Sequence, residues 1–194
     1  SKNKWLVMVY QDADDQALEQ DIFIDLNEME RIGSVEDQVM IVSQIDRFRG
    51  GFTSQDDFST AHRYLVTYDD DLNRIGSDLL MDLGEVDMAD GDTLVDFVTW
   101  AVETYPSEHY VLIMSDHGMG WPGGWSDPSP ATPDSGSAPI VRQLQTDSIY
   151  LNELDEALAT IQTNTGIGKF DLIGLDAVQP LIADHRRESD LLST

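Results

Sequence analysis

The sequence predicts an α/β fold in which a mainly parallel sheet is covered by helices on both faces. Three observations lead there. The runs "KWLVMVY", "VMIVSQID", "YVLIMS" and "FDLIGLD" are apolar almost throughout instead of alternating with polar residues, as strands buried on both faces are. Other segments carry apolar residues at helical spacing. The two kinds of segment alternate along the chain, the order that a parallel sheet with helical crossovers requires.

Residues 4–10 are the first buried strand. In "DADDQALEQDIFIDLNEMERIG", Leu18, Ile22, Leu26, Met29 and Ile32 recur at helical spacing, and Gly33 sits where a C-terminal cap belongs. Residues 39–46 are a second buried strand. After an acidic, glycine-containing excursion, "RYLVTY" (63–68) and "LLMDLG" (79–84) read as a small hairpin. Asp90 or Asp92 caps a helix whose apolar face is Leu94, Phe97, Val98, Ala101, Val102 and Tyr105, and Pro106 ends it. A third buried strand occupies 110–115. Residues 122–139, rich in Pro, Gly, Ser and Asp, read as a long exposed loop, the most cleavable part of the chain. Leu151, Leu154, Leu158 and Ile161 mark another helix, and 170–176 a fourth buried strand. A crossover with one helix joins the third and fourth strands, so they are expected to be parallel neighbours. Trp5 and Trp100 read as core.

A chain of 194 residues with 41% hydrophobic content buries its core as one domain. No apolar run approaches the roughly 18 to 20 residues that span a bilayer, so no membrane anchor is expected and any secretion signal is expected to have been removed. The net charge is −26, from 11 Lys plus Arg against 37 Asp plus Glu. Nucleic acid and anionic lipid are excluded as partners, because most of the surface would repel them. The only lysines are Lys2, Lys4 and Lys169, and an Asp-rich, Lys-poor surface suits a salt-loving source, where screening removes the self-repulsion. The carboxylates of "DADDQALEQD" and "TYDDDL" read as solvated surface, with calcium the ion such oxygen-rich loops would take. With no cysteine, disulfides and thiolate metal sites are excluded.

Function in a parallel sheet collects at the carboxyl ends of the strands. His117, in "LIMSDHGMGW", follows the third strand and precedes Gly118 in a glycine-rich turn, where a rigid sheet would hold it. Positions just after Leu175 would face it across the same edge. His62, His109 and His185 have no such setting and read as structural. Asp116 orients a neighbour or caps the turn, and Met119, Trp121 and Trp125 pack the rim of the cleft.

At these residues the chain resembles the clostripain family of cysteine endopeptidases, which are caspase-like in fold. The resemblance runs through "WLVMVY", "DLNEME", "IDR", "RYLV", "DLGEVDM", "DTLVDFVTWAVETYP", "HYVLIMSDHGMGW", "YLNEL" and "FDLIGLDA", in order and at sensible spacing from Trp5 to Ala177. It implies a caspase-like α/β/α sandwich, incomplete at its C-terminus, with a peptidase domain over 1–177 and a divergent tail over 178–194. It also implies His117 as general base, Gly118 as an oxyanion-hole N–H donor, and Asp176 in an acidic pocket that selects Arg or Lys before the scissile bond. Arg142, the one basic residue between His117 and Lys169, is the implied activation cleavage point. The implied partner is a peptide or protein containing Arg or Lys, the implied location extracellular or at the cell envelope, and no cofactor is required for catalysis.

The sequence departs from that pattern where the chemistry needs it most. The family's nucleophilic cysteine aligns with Val178 in "DAVQP", and a valine side chain cannot attack a carbonyl. The tail "VQPLIADHRRESDLLST" replaces the family's apolar continuation. As written, the chain is expected to be inactive as a cysteine peptidase, either a damaged N-terminal part of an active parent or a pseudopeptidase that holds basic peptides without cutting them. A third reading takes "SDHGM" as the metal-binding Asp-His-Gly segment of alkaline-phosphatase-like phosphoesterases, but His62 and the early acidic residues do not supply the remaining ligands in a convincing order. Asp176, placed at a buried strand end, is expected to serve the pocket.

Overall fold

The structure, a computed structural model, describes residues 2–14, 19–48, 58–116, 125–127, 147–149 and 151–177. Its elements run β1 (Asn3–Ala13), α1 (Glu19–Glu30), β2 (Val39–Arg47), β3 (Ala61–Leu65), β4 (Asp78–Gly84), α2 (Gly91–Thr104), β5 (Ser107–Asp116), β6 (Trp125–Asp127), β7 (Asp147–Ile149), α3 (Leu151–Thr165) and β8 (Leu172–Ala177). Six strands form the central sheet in the order β4-β3-β2-β1-β5-β8. β2, β1, β5 and β8 are parallel, while β3 is antiparallel to both its neighbours, as the expected hairpin. This is the mixed, mostly parallel sheet of a caspase-like α/β protein.

Each face has its own core. Leu6, Met8, Tyr10, Leu112 and Met114 point to one side and bury against Leu94, Phe97, Val98 and Ala101 of α2 and Leu154, Ala157 and Ile161 of α3. Val9, Ala13, Ile41 and Ile45 point to the other, under Ile22 and Leu26 of α1. Each such fully buried side chain contributes about 1.5 to 3 kcal/mol, and the alternation along a strand divides it between the two helical layers.

The helix boundaries follow their caps. Asp90, not Asp92, is the N-cap of α2, its carboxylate accepting the Asp92 N–H at 2.8 Å. Gly33 has φ +67° and its N–H donates to the Met29 carbonyl at 2.9 Å, closing α1 as a left-handed cap.

Four expectations are corrected. Ile32, read as part of the apolar face of α1, lies beyond the cap and is 70% exposed. Asp12, Asp14 and Glu19 of the early acidic run are buried: β1 continues to Ala13 and carries Asp12 and the adjoining Asp14 into the body of the protein, and Glu19 opens α1 against the buried Arg47. Trp125 to Asp127, read as loop, is β6, paired antiparallel with β7. Trp5 and Trp100 are half-buried, Trp5 stacked on His109 at 4.4 Å and Trp100 beneath the Arg63 guanidinium at 4.9 Å. Residues 178–194, the expected tail, lie outside the described residues.

Candidate functional site

β5 and β8 end level at the carboxyl edge of the sheet. Ser115 pairs with Asp176 and Asp116 with Ala177, so the chain leaves the sheet toward 117 and toward 178 from adjacent strands. Neighbouring strands lie about 5 Å apart, within reach of a two-residue active centre. The register is held at the far end by Asp171. Its N–H donates to the Tyr110 carbonyl at 2.8 Å, its Oδ2 accepts the Tyr110 N–H at 2.9 Å, and its Oδ1 lies 3.0 Å from His109 Nδ1. These bonds hold the Asp171 carboxyl below the usual aspartate range. His109 is therefore a structural residue.

Of the residues singled out in the sequence, the structure describes Asp176; His117, Gly118, Arg142 and Val178 lie outside the described residues, as do Met119, Trp121, His185 and the side chains of Asp116 and Trp125. Asp176 is exposed, not buried as expected, because β8 is the edge strand of the described sheet. It needs no internal partner to pay for desolvation.

Asp176 shares a face with α1. Gln11 of β1 pairs with Ser115, which pairs with Asp176, so the three side chains form one row on the same side of the sheet. α1 lies over that row, tied by Gln11 Nε2 donating to the Ile22 carbonyl at 3.3 Å. The flank of α1 carrying Phe23 and Glu30 faces the β2–β3 side, where Phe23 meets Arg47 and Glu30 accepts from Ser77. Asp25 is on the opposite flank, toward β5 and β8. Burial and then the Asp176 charge raise its carboxyl above the usual value.

Beside this region the carboxyl edge is densely polar. Asp12 and Asp46 are register partners and both are buried. Arg47 Nη2 lies 2.9 Å from Glu19 Oε1, both buried, and the guanidinium is held between the rings of Phe23 and Phe58, 5.0 and 4.7 Å from their centroids. His62 stacks on Phe58 at 3.9 Å and places Nδ1 3.0 Å from the Tyr64 hydroxyl, a packed structural histidine as expected. Sequence reading missed this cluster and Asp25. The available signal was "IDR" closing an otherwise apolar strand, a charge pair too close to buried sequence to be surface.

Among the described residues no group of three or more His, Asp or Glu side chains could hold a metal ion; His117 and Gly118 of the Asp-His-Gly segment lie outside them. Among them, too, no helix is long and apolar enough to cross a membrane.

The sequence profile of the clostripain family matches residues 9–179. No curated protein matches significantly. Among solved structures, the chain is similar to a secreted C11 cysteine protease from Bacteroides thetaiotaomicron in complex with an irreversible peptide inhibitor, with 19% identity and a TM-score of 0.59 over 90% of this chain and 42% of that one. It is similar also to an inactive zymogen C11 protease from Parabacteroides distasonis, at 17% identity and TM-score 0.57 over 91% of this chain and 42% of that one. The secreted Bacteroides thetaiotaomicron protease called iotapain aligns at 15% identity and TM-score 0.57, over 91% and 46%. The chain thus spans less than half the length of these three structures.

Proposed function

The chain belongs to the clostripain family of cysteine peptidases, and on that premise we propose that it is a peptidase scaffold for cleavage after Arg or Lys whose nucleophile position is occupied by Val178, leaving peptide binding without turnover. One observation supports the reading: β5 and β8 are parallel neighbours with Asp116 opposite Ala177, the residues that precede His117–Gly118 and Val178 in the sequence.

The roles follow from peptide hydrolysis itself. A nucleophile must lose a proton to a nearby base as it attacks the carbonyl, and the developing oxyanion must be met by placed donors. The His117 imidazole takes the first part and the Gly118 N–H the second. Val178 has no proton to lose and no lone pair to offer, so no acyl-enzyme forms. Asp176 supplies a carboxylate at the strand end for the ammonium or guanidinium of the residue before the scissile bond. Its exposure supports this, since the charge is accessible to a ligand. No cofactor enters the reaction.

β6 and β7 pair directly on either side of residues 128–146, which include Arg142. That supports Arg142 as a cleavage point, because both new ends would stay joined to the folded body. Two of the similar structures are of secreted proteases, which supports an extracellular or cell-envelope site of action.

The test is hydrolysis of a peptidyl-arginyl aminocoumarin by the chain as written and by its His117→Ala variant. The expected result is no turnover by either. Turnover that disappears with His117 would overturn the inactive reading.

A further inference from the structure

The geometry points to Asp25 of α1 as a second specificity-determining carboxylate, which closes on the basic side chain held by Asp176 from the opposite side. The inference rests on the reading of Asp176 as the pocket residue and adds the residue that completes it.

Asp176 and Asp25 look at the same space from two elements. The Gln11–Ser115–Asp176 row fixes Asp176 on the α1 side of the sheet. The bond from Gln11 to the Ile22 carbonyl sets α1 at the height of that row, and Asp25 follows Ile22 by one turn on the flank turned away from β2. Gly174 occupies the next position of β8 on this face, paired with Ile113, and presents no side chain.

This arrangement fits a long basic side chain better than it fits solvent. Ile113 packs against the α1-side core and offers an apolar wall beside Gly174. An arginine or lysine lays its methylene stem on such a wall while keeping its charged head among polar groups. The head then meets two carboxylates. Among the described residues neither Asp25 nor Asp176 has a hydrogen-bond or ion-pair partner, whereas Asp12, Glu19 and Glu30 are all engaged. Asp21 and Glu28 on the same flank add to the negative field, which together with burial, the larger influence, and the Asp176 charge raises the Asp25 carboxyl above the ordinary aspartate value. A bound guanidinium relieves that repulsion and offers the two carboxylates its planar fork of donors. Arginine is accordingly the better ligand of the two basic residues.

The test is fluorescence anisotropy of a labelled arginyl peptide and its neutral citrulline counterpart with the full chain. The parent is expected to prefer arginine. Asp25→Asn and Asp176→Asn are each expected to lose about tenfold in arginyl affinity with the citrulline peptide unmoved, and the double variant to lose less than the product of the two, as neighbouring sites on one ligand do. Asp25→Glu should retain the preference, and Glu156→Gln, which removes a remote surface charge on α3, should leave it intact. Unchanged binding in Asp25→Asn alongside loss in Asp176→Asn would overturn the role of Asp25 and leave the pocket reading standing. A parent that does not distinguish arginine from citrulline, or an Asp176→Asn variant that still does, would overturn both.

Discussion

Asp171 grips Tyr110 at both its backbone groups, donating to the carbonyl and accepting from the N–H. It thereby locks β8 to β5 in the one register that levels their carboxyl ends. A slip of one residue would turn Asp176 to the opposite face of the sheet and stagger the carboxyl ends of β5 and β8.

The pH dependence of that lock has a definite sign. Hydrogen bonds from Tyr110 and His109 depress the Asp171 carboxyl in the folded protein, so its contribution is complete above the ordinary aspartate value and is lost as pH falls through the lower, folded one. Asp171→Asn is expected to lower the urea midpoint at pH 7 and to converge on the parent as acid protonates the native carboxyl. Urea titrations of both proteins across that range, at high salt, measure it.

Glu30 has the opposite sign. It is buried, and burial is the largest influence raising its carboxyl, only partly offset by the bonds from the Ser77 hydroxyl and N–H. A raised group stabilises in its protonated form, fully below the ordinary glutamate value and decreasingly as pH rises through the folded one. Glu30→Gln keeps an acceptor for Ser77 without the charge. It should raise the unfolding midpoint at pH 7, and that gain should vanish in acid.

The Glu19–Arg47 pair is buried at both ends. Glu19→Gln removes one charge of a buried pair and should destabilise the protein in denaturant unfolding, by at most about 3 to 5 kcal/mol. Glu19→Leu combined with Arg47→Met should recover much of the loss, because the guanidinium already sits between Phe23 and Phe58, where an apolar side chain is tolerated.

The fold was largely legible. β1, β2, β5 and β8 announced themselves as unbroken apolar runs, and the β3–β4 hairpin and the Gly33 cap by their local chemistry. The polar edge was not, because burial of Asp12, Asp14 and Glu19 depends on how far β1 runs and on Arg47 arriving from a strand 28 residues later than Glu19. Asp176 was misjudged for a related reason: a strand apolar in sequence can still stand at a sheet edge, and Leu172 and Leu175 beside it are exposed too. Asp25 looked like one more acid on a helix, and only the strand register shows which flank faces β8. The motif at 116–118 and the valine at 178 were readable directly, since they are questions of residue identity.

The most direct measurement of the central claim is the alkylation rate of a thiol introduced by Val178→Cys, with His117 present and with His117→Ala. The chain has no other cysteine, so iodoacetamide reports on that position alone. A free thiol titrates near pH 8.5, and a neighbouring imidazolium lowers it. If His117 is the base facing position 178, the single variant should be alkylated about tenfold faster at pH 6 than the double variant. Equal rates that both follow an ordinary thiol would contradict the account.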